Sequence, residues 1–262
     1  MFAEYLARWD LTPDGDPIAT YASRLLPVRQ HGAAAILKVA VQPEEKFGGL
    51  VMAWWDGQGA ARVLAHDGDA SLLERATGTT SLADLARHGR DDEATRIMCA
   101  TVAKLHAPRR NPPPGLTPLA QWFGELEPAA AELGGAMARA AATARELISA
   151  PRDIVVLHGD IHHDNILDFR SRGWLAIDPK GLLGERGFDY ANIFCNPDHP
   201  TATAPGRLAR QVEVVADAAG LERRRLLQWI VAWAGLSSAF SLQDGLEADF
   251  GVLELAAAEL GR

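Results

Sequence analysis

The sequence predicts an α+β protein with a small strand-rich front part and a larger, mostly helical back part. Three observations lead there. Short apolar runs broken by turn residues fill the first 75 or so positions, helical spacing takes over after Gly78, and strand-like runs return between Ile154 and Ile177. The 262 residues, 48% of them hydrophobic, suffice for one medium or two small domains with a real core. The composition shift at Glu74–Gly78 divides the chain into a front lobe over 1–76 and a back lobe over 77–262. A crevice between two lobes is where a ligand is expected.

Taken in order, Arg24–Val28 and Ala34–Val41 flank the turn-like Arg29-Gln30-His31-Gly32 and read as a hairpin. Pro43-Glu44-Glu45 opens a helix to Trp55, since proline lacks the N–H that a first turn leaves unpaired and acids complement the helix dipole. Asp56-Gly57-Gln58-Gly59 stops it. Ala61–Ala65 and Ser71–Leu73 are two more short strands around the turn His66–Asp69. Asp91–His106 carries Ile97, Cys99, Val102 and Leu105 at helical spacing until the proline-rich stretch 108–118. The alanine-rich span Leu119–Ala150 reads as two helices interrupted at Gly134-Gly135. Strands follow at Ile154–Leu157, Ile166–Phe169 and Trp174–Ile177. Beyond residue 207, Leu208, Val212, Val215 and Ala219 share one helical face, and a second helical run spans Leu226–Phe240.

The formal charge of -8 and pI near 5.5 argue against a nucleic-acid binder and weakly favour a cationic ligand. No segment reaches the roughly 18 apolar residues of a membrane span. Glu4 and Arg8 interrupt the apolar N-terminus, so no secretory signal is expected, and Cys99 and Cys195 read as free thiols. These features predict a cytoplasmic protein with no membrane or nucleic-acid partner.

The stretch Val155–Leu167, VVLHGDIHHDNIL, runs from an apolar strand through a polar loop into another strand. Its loop presents Asp160 and, five positions on, Asn165; Asp178 follows at the end of the next strand, in Leu175-Ala176-Ile177-Asp178-Pro179. Phosphoryl transfer needs such a set: one carboxylate to orient and deprotonate an acceptor, and hard oxygen ligands for Mg²⁺ on the phosphates. A turn-capping acid would explain Asp160 alone, but not its spacing from the other two. The chain has lysine only at 38, 46, 104 and 180, and Lys38 sits among aliphatics in a strand, where an ammonium suits binding α- and β-phosphates. Glu45, with Glu44 as the alternative, is the expected helical partner of Lys38; both also suit a helix N-terminus for their charge alone. No GxxxxGK[ST] exists, and Ile18–Val28 holds no glycine, so neither a P-loop nor a GxGxxG cover is present.

The HGDxxxxN motif with a strand-borne IDP resembles the aminoglycoside phosphotransferase family of the protein-kinase-like fold. The longer string LHGDIHHDNIL…WLAIDPKGLLGERGFDYANIF resembles its streptomycin 6-kinase and hydroxyurea phosphotransferase subgroup. That resemblance implies a two-lobed kinase, with ATP or GTP as co-substrate and Mg²⁺ held by Asn165 and Asp178. Asp160 would be the catalytic base, and His158 a structural part of its loop. Ser23 becomes an expected phosphate contact, and the backbones of Glu74 and Ala76 the hinge that meets the purine. Asp189 matches a family aspartate that organises the loop first and contacts substrate second; His163 and Glu185 are further expected substrate contacts. The acceptor would be a small molecule, such as a cationic aminoglycoside, hydroxyurea or another hydroxylated metabolite. Two other classes remain: a metal-dependent hydrolase using His158, Asp160, His162 and His163, and a non-catalytic nucleotide sensor suggested by the missing glycine loop.

Overall fold

The computed structural model describes residues 1–42 and 47–262 in full and residues 43–46 by their backbone alone. The front part contains α1 (Ala3–Arg8), β1 (Leu11–Pro13), β2 (Ile18–Ala19), β3 (Ser23–Gln30), β4 (Ala33–Ala40), α2 (Pro43–Trp55), β5 (Val63–Asp67) and β6 (Ala70–Glu74). Its strands pair antiparallel in the order β1-β3-β4-β6-β5, with β2 pairing the start of β3 on the edge that β1 takes further along. Successive side chains of a strand point to opposite faces. In β4, Ala35, Leu37 and Val39 therefore join Leu26, Val28 and Leu72 in a core that Phe2, Tyr5 and Trp9 cover. Ile36 and Lys38 face the other way, into the cleft.

Helix α2 ends where Asp56 turns left-handed, at φ 47°, and its N–H caps the carbonyls of Met52 and Ala53. Its Val51, Met52 and Trp55 do not pack with the core under α1; they belong to the larger core of the back part. The Trp55 indole donates to the Leu105 carbonyl at 3.1 Å, which welds α2 to the far side of the cleft.

The back part runs through α3 (Leu82–Leu85), α4 (Asp91–Leu105), β7 (Thr117–Pro118), α5 (Leu119–Trp122), α6 (Leu126–Leu133) and α7 (Gly135–Ser149). Then come β8 (Ile154–Leu157), β9 (Ile166–Asp168), β10 (Trp174–Ala176), β11 (Leu182–Glu185), α8 (Phe188–Ala191), α9 (His199–Ala202), α10 (Arg207–Ala219), α11 (Arg223–Gln243) and α12 (Gly251–Leu260). The 21-residue α11 is the spine, buried along most of its length between α7, α8 and α12. At Gly235 a side chain is impossible, because an added Cβ would lie 2.4 Å from the Ala140 methyl of α7. Among the described residues no helix is long and apolar enough to cross a membrane. Cys99 is buried and Cys195 half-buried, both as free thiols.

Several elements go beyond the sequence reading, among them the short β1, β2, α3, β7 and α9 as well as β11, α12 and α1. Strand β11 pairs antiparallel with β8, Leu182 opposite Leu157, although its four residues with a glycine give no periodic signal. Helix α12 is an additional helix against α11, and α1 is too short to show a period of its own. Replacing the fully buried Leu37 by Ala is expected to destabilise the protein by about 2–5 kcal/mol, through lost transfer energy and the cavity left behind. Urea unfolding measures it, and a loss below about 1 kcal/mol would contradict the packing described for the sheet.

Candidate active site

The catalytic-loop candidate leaves the buried end of β8 and returns into β9. Gly159 makes the turn possible: its φ is +87°, and a Cβ there would meet the Leu182 side chain at 2.9 Å. The β9–β10 hairpin continues one step past its strands, because Ile177 N–H donates to the Asn165 carbonyl at 2.9 Å. Asp178 therefore emerges beside the loop that carries Asp160 and Asn165. It sits at φ 63°, in the left-handed region that aspartate tolerates better than most residues.

Four groups surround the Asp160 carboxylate. Asn192 donates its amide N–H to Oδ1 at 3.0 Å, and Asn165 donates to the Asp160 carbonyl at 2.9 Å and to Oδ2 at 3.4 Å. Lys180 Nζ stands 3.9 Å from Oδ2, and His162 Nε2 4.0 Å from Oδ1. The orientation of Asn192 is fixed from behind, since its Oδ1 accepts from the Trp233 indole and from Asn196, each at 2.9 Å. An indole N–H can only donate, so the amide nitrogen of Asn192 must face Asp160. Neither Asn192 nor Trp233 is marked by the sequence, because their meeting depends on how α11 crosses the segment after α8.

Ser23, Lys38, Glu74, Ala76 and Asp178 line one cleft of about 600 Å³ between the sheet and the β9–β10 hairpin. Lys38 and Asp178 are directly hydrogen-bonded as an ion pair across it. The side chain of Glu45 lies outside the described residues. Above the cleft, Thr20 staples the β2–β3 turn: its hydroxyl donates to the Ser23 carbonyl and accepts the Ser23 N–H. At the rear, the Glu74 carboxylate accepts from the Arg62 N–H and from Arg172, tying the end of β6 to the β9–β10 turn. Leu25 and Ile36 from the sheet and Leu167, Phe169 and Ile177 from the hairpin give the cleft apolar walls.

Asp189 is 1% exposed and organises the loop. Its Oδ1 accepts the Gly159 N–H at 2.7 Å, and its Oδ2 accepts the His158 N–H at 2.9 Å and His106 Nε2 at 2.8 Å. With both oxygens so occupied, the buried Asp189 carboxylate ties the loop to the end of α4. Glu185 is likewise enclosed by protein groups: it is 4% exposed, binds Arg225 through both oxygens and accepts from the Trp229 indole and the Arg152 N–H. Burial pushes its carboxyl pKa up, but these hydrogen bonds outweigh it and hold the group below the usual range.

The histidines do not converge either. His158 accepts the Asp160 N–H on Nδ1 and donates from Nε2 to the Ile177 carbonyl, so both nitrogens are committed. Burial holds it neutral. His163 is 2% exposed, and neither ring nitrogen has a hydrogen-bond partner among the described residues. Burial depresses its pKa to about 3, with Arg207 adding to the effect. Of the adjacent pair it is His162, not His163, that faces the Asp160 carboxylate, since neighbouring side chains in this short turn diverge. Among the described residues no group of three His, Cys, Asp or Glu side chains gathers to hold a metal ion, so the hydrolase arrangement finds no support.

A buried histidine that stays neutral makes stability depend on pH. Between the ordinary pKa near 6.5 and the depressed value near 3, the unfolded chain binds a proton at His163 that the folded chain refuses. Stability should therefore fall as pH drops below about 6.5, and His163→Gln should flatten that fall by up to about 1.4 kcal/mol per pH unit. Urea unfolding at pH 7, 6, 5 and 4 compares the slopes; identical slopes would contradict the burial of a neutral imidazole.

Comparison with known proteins places the chain in a family. Residues 8–245 match the family described as aminoglycoside/hydroxyurea antibiotic resistance kinase. The chain is 54% identical over 245 residues to streptomycin 3''-kinase of Klebsiella pneumoniae, covering 92% of each chain. It is 32% identical over 264 residues to streptomycin 6-kinase of Streptomyces griseus, covering 95% of this chain and 84% of that one. A solved ternary complex of a thermostable mutant of aminoglycoside phosphotransferase APH(4)-Ia with AMP-PNP and hygromycin B has the same fold, with TM-score 0.65, 15% identity, and 100% of this chain and 97% of that one covered. The fold is thus that of a two-lobed kinase, and the chain belongs to the aminoglycoside/hydroxyurea antibiotic resistance kinase family.

Proposed function

We propose that this protein transfers the γ-phosphoryl group of ATP or GTP to a hydroxyl of a streptomycin-type aminoglycoside, with antibiotic resistance as the consequence. The observation that carries the reading is the convergence of Lys38 and Asp178 in one cleft beside a loop that presents Asp160. The higher identity to the 3''-kinase supports the 3''-hydroxyl as the acceptor; the 6-hydroxyl, expected from the sequence motif, is the second position. The net charge of -8 suits a cationic acceptor.

In this reading the nucleotide lies between the sheet and the β9–β10 hairpin, its purine against the apolar walls and the hinge backbone at Glu74 and Ala76. Lys38 draws the phosphates toward the sheet, and the β2–β3 turn with Ser23 covers them. Asp160 accepts the acceptor's O–H and takes its proton as the new O–P bond forms and the bond to the leaving diphosphate breaks. Asn192 and Asn165 hold the carboxylate in place for that step. Asn165 makes both its bonds to Asp160 through its amide nitrogen, which leaves its oxygen, with the Asp178 carboxylate, as donors for a cation. Two such oxygens fit Mg²⁺, a hard cation that takes oxygen ligands. Bound there, Mg²⁺ would supply neutralisation of phosphate charge.

A coupled ADP assay with streptomycin and hydroxyurea, followed by NMR of the product, tests the assignment. Streptomycin-dependent ADP formation with phosphate on the 3''-hydroxyl is expected, and no acceptor-dependent turnover with either compound would contradict it. Asp160→Asn should lower kcat by about 10²–10⁴-fold while nucleotide affinity holds. Asn192→Ala, which frees the carboxylate and strands the Trp233 indole, should lower kcat by about 10²-fold with a smaller change in KM. Near-normal kcat in that variant would show that Asp160 needs no support from Asn192.

A further inference from the structure

Lys180 is the second of the two lysines in the cleft, and the role of the first leaves it unexplained. It lies two residues beyond Asp178 and lines the same cleft as Lys38, from the catalytic-loop side rather than from the sheet. Its backbone N–H donates to the His158 carbonyl at 2.7 Å, and its Cβ lies against Gly159, where an added Cβ would sit 3.1 Å away. The root of the side chain is therefore fixed to the loop that carries Asp160. Its ammonium ends 3.9 Å from Asp160 Oδ2, too far for a hydrogen bond and close enough for strong attraction. The side chain is 26% exposed, so it borders the open cleft and is not sealed in the core.

Placed so, the ammonium stands between the carboxylate that meets the acceptor and the space that takes the nucleotide. Resting on the kinase reading above, we propose that Lys180 is a catalytic residue whose ammonium contacts the transferring phosphoryl group. In the step, the acceptor oxygen bonds to the γ-phosphorus, the bond to the β-phosphate oxygen breaks with its electron pair on the diphosphate, and the acceptor proton passes to Asp160. Lys180 keeps all its protons and neutralises the oxygens of the group in transit. A compact ammonium on a flexible stem suits that task, and fixed positive charge aimed at a charge-bearing transition state is among the largest catalytic effects. Lys38 then serves the nucleotide as bound, and Lys180 the group as it moves.

The experiment compares Lys180→Met, Lys180→Gln and Lys180→Arg with wild type, measuring streptomycin-dependent kcat, both KM values, nucleotide affinity and melting temperature. Met and Gln should lower kcat by about 10²–10³-fold, with nucleotide affinity changed less than about threefold, and Arg should restore part of kcat. If the Met variant fails to fold, the polar Gln variant carries the comparison. Unchanged kcat in a folded Met or Gln variant overturns the proposal, as does a loss confined to the nucleotide KM, which would make Lys180 a binding group only. Wild-type turnover is the reference for the reading beneath: a wild type inactive with streptomycin refutes the streptomycin-kinase reading, whereas an active wild type with active variants refutes Lys180 alone.

Discussion

The buried carboxylate of Asp189 is the constraint on which the site depends. Two successive backbone N–H groups, those of His158 and Gly159, point inward at the end of β8, where no strand partner can take them. Unpaired buried donors cost about 1–3 kcal/mol each, so the loop holds this shape only because one acceptor meets both. The His106 imidazole binds the same carboxylate from the end of α4, and Gly187–Asp189 is packed under Trp229 of α11. The position of Asp160 is thus set by α4, α8 and α11 together. Chemistry at the loop inherits the rigidity of the whole back core.

Across the cleft the logic is electrostatic. The sheet delivers one ammonium, Lys38, on the face opposite its core, and the hairpin delivers Asp178 to meet it. The two form an ion pair across the cleft, so each partly enclosed charge meets one of opposite sign. A triphosphate and its metal would give each a new partner of opposite sign. The welds between the parts, Trp55 to Leu105 and Glu74 to Arg172, hold both sides of the cleft in register.

The fold was largely legible because its signals are local. The β3–β4 hairpin, the proline-led α2, the stop at Asp56 and the break at Gly134 each follow from a few adjacent residues. Lys38 stood out as a lone cation in an aliphatic strand, and period two then dictates which face it takes. Asp160, Asn165 and Asp178 were legible together because one short stretch of chain carries all three. Glu185, Asp189 and His163 were harder, because their burial is decided by distant elements: Arg225 and Trp229 of α11 claim Glu185, and His106 claims Asp189. The same distance hid Asn192, Trp233 and His106, whose side chains carry no motif. Lys180 was visible in the sequence as one of four lysines, yet only its proximity to Asp160 gives it meaning.

The most direct measurement is a crystal structure with AMP-PNP and Mg²⁺. The expected result is nucleotide in the cleft between Ile36 and Phe169, Lys38 moved from Asp178 to the phosphates, and a cation held by Asn165 and Asp178 in front of Asp160. Nucleotide bound elsewhere, with the Lys38–Asp178 pair intact, would contradict a phosphoryl-transfer centre at this place.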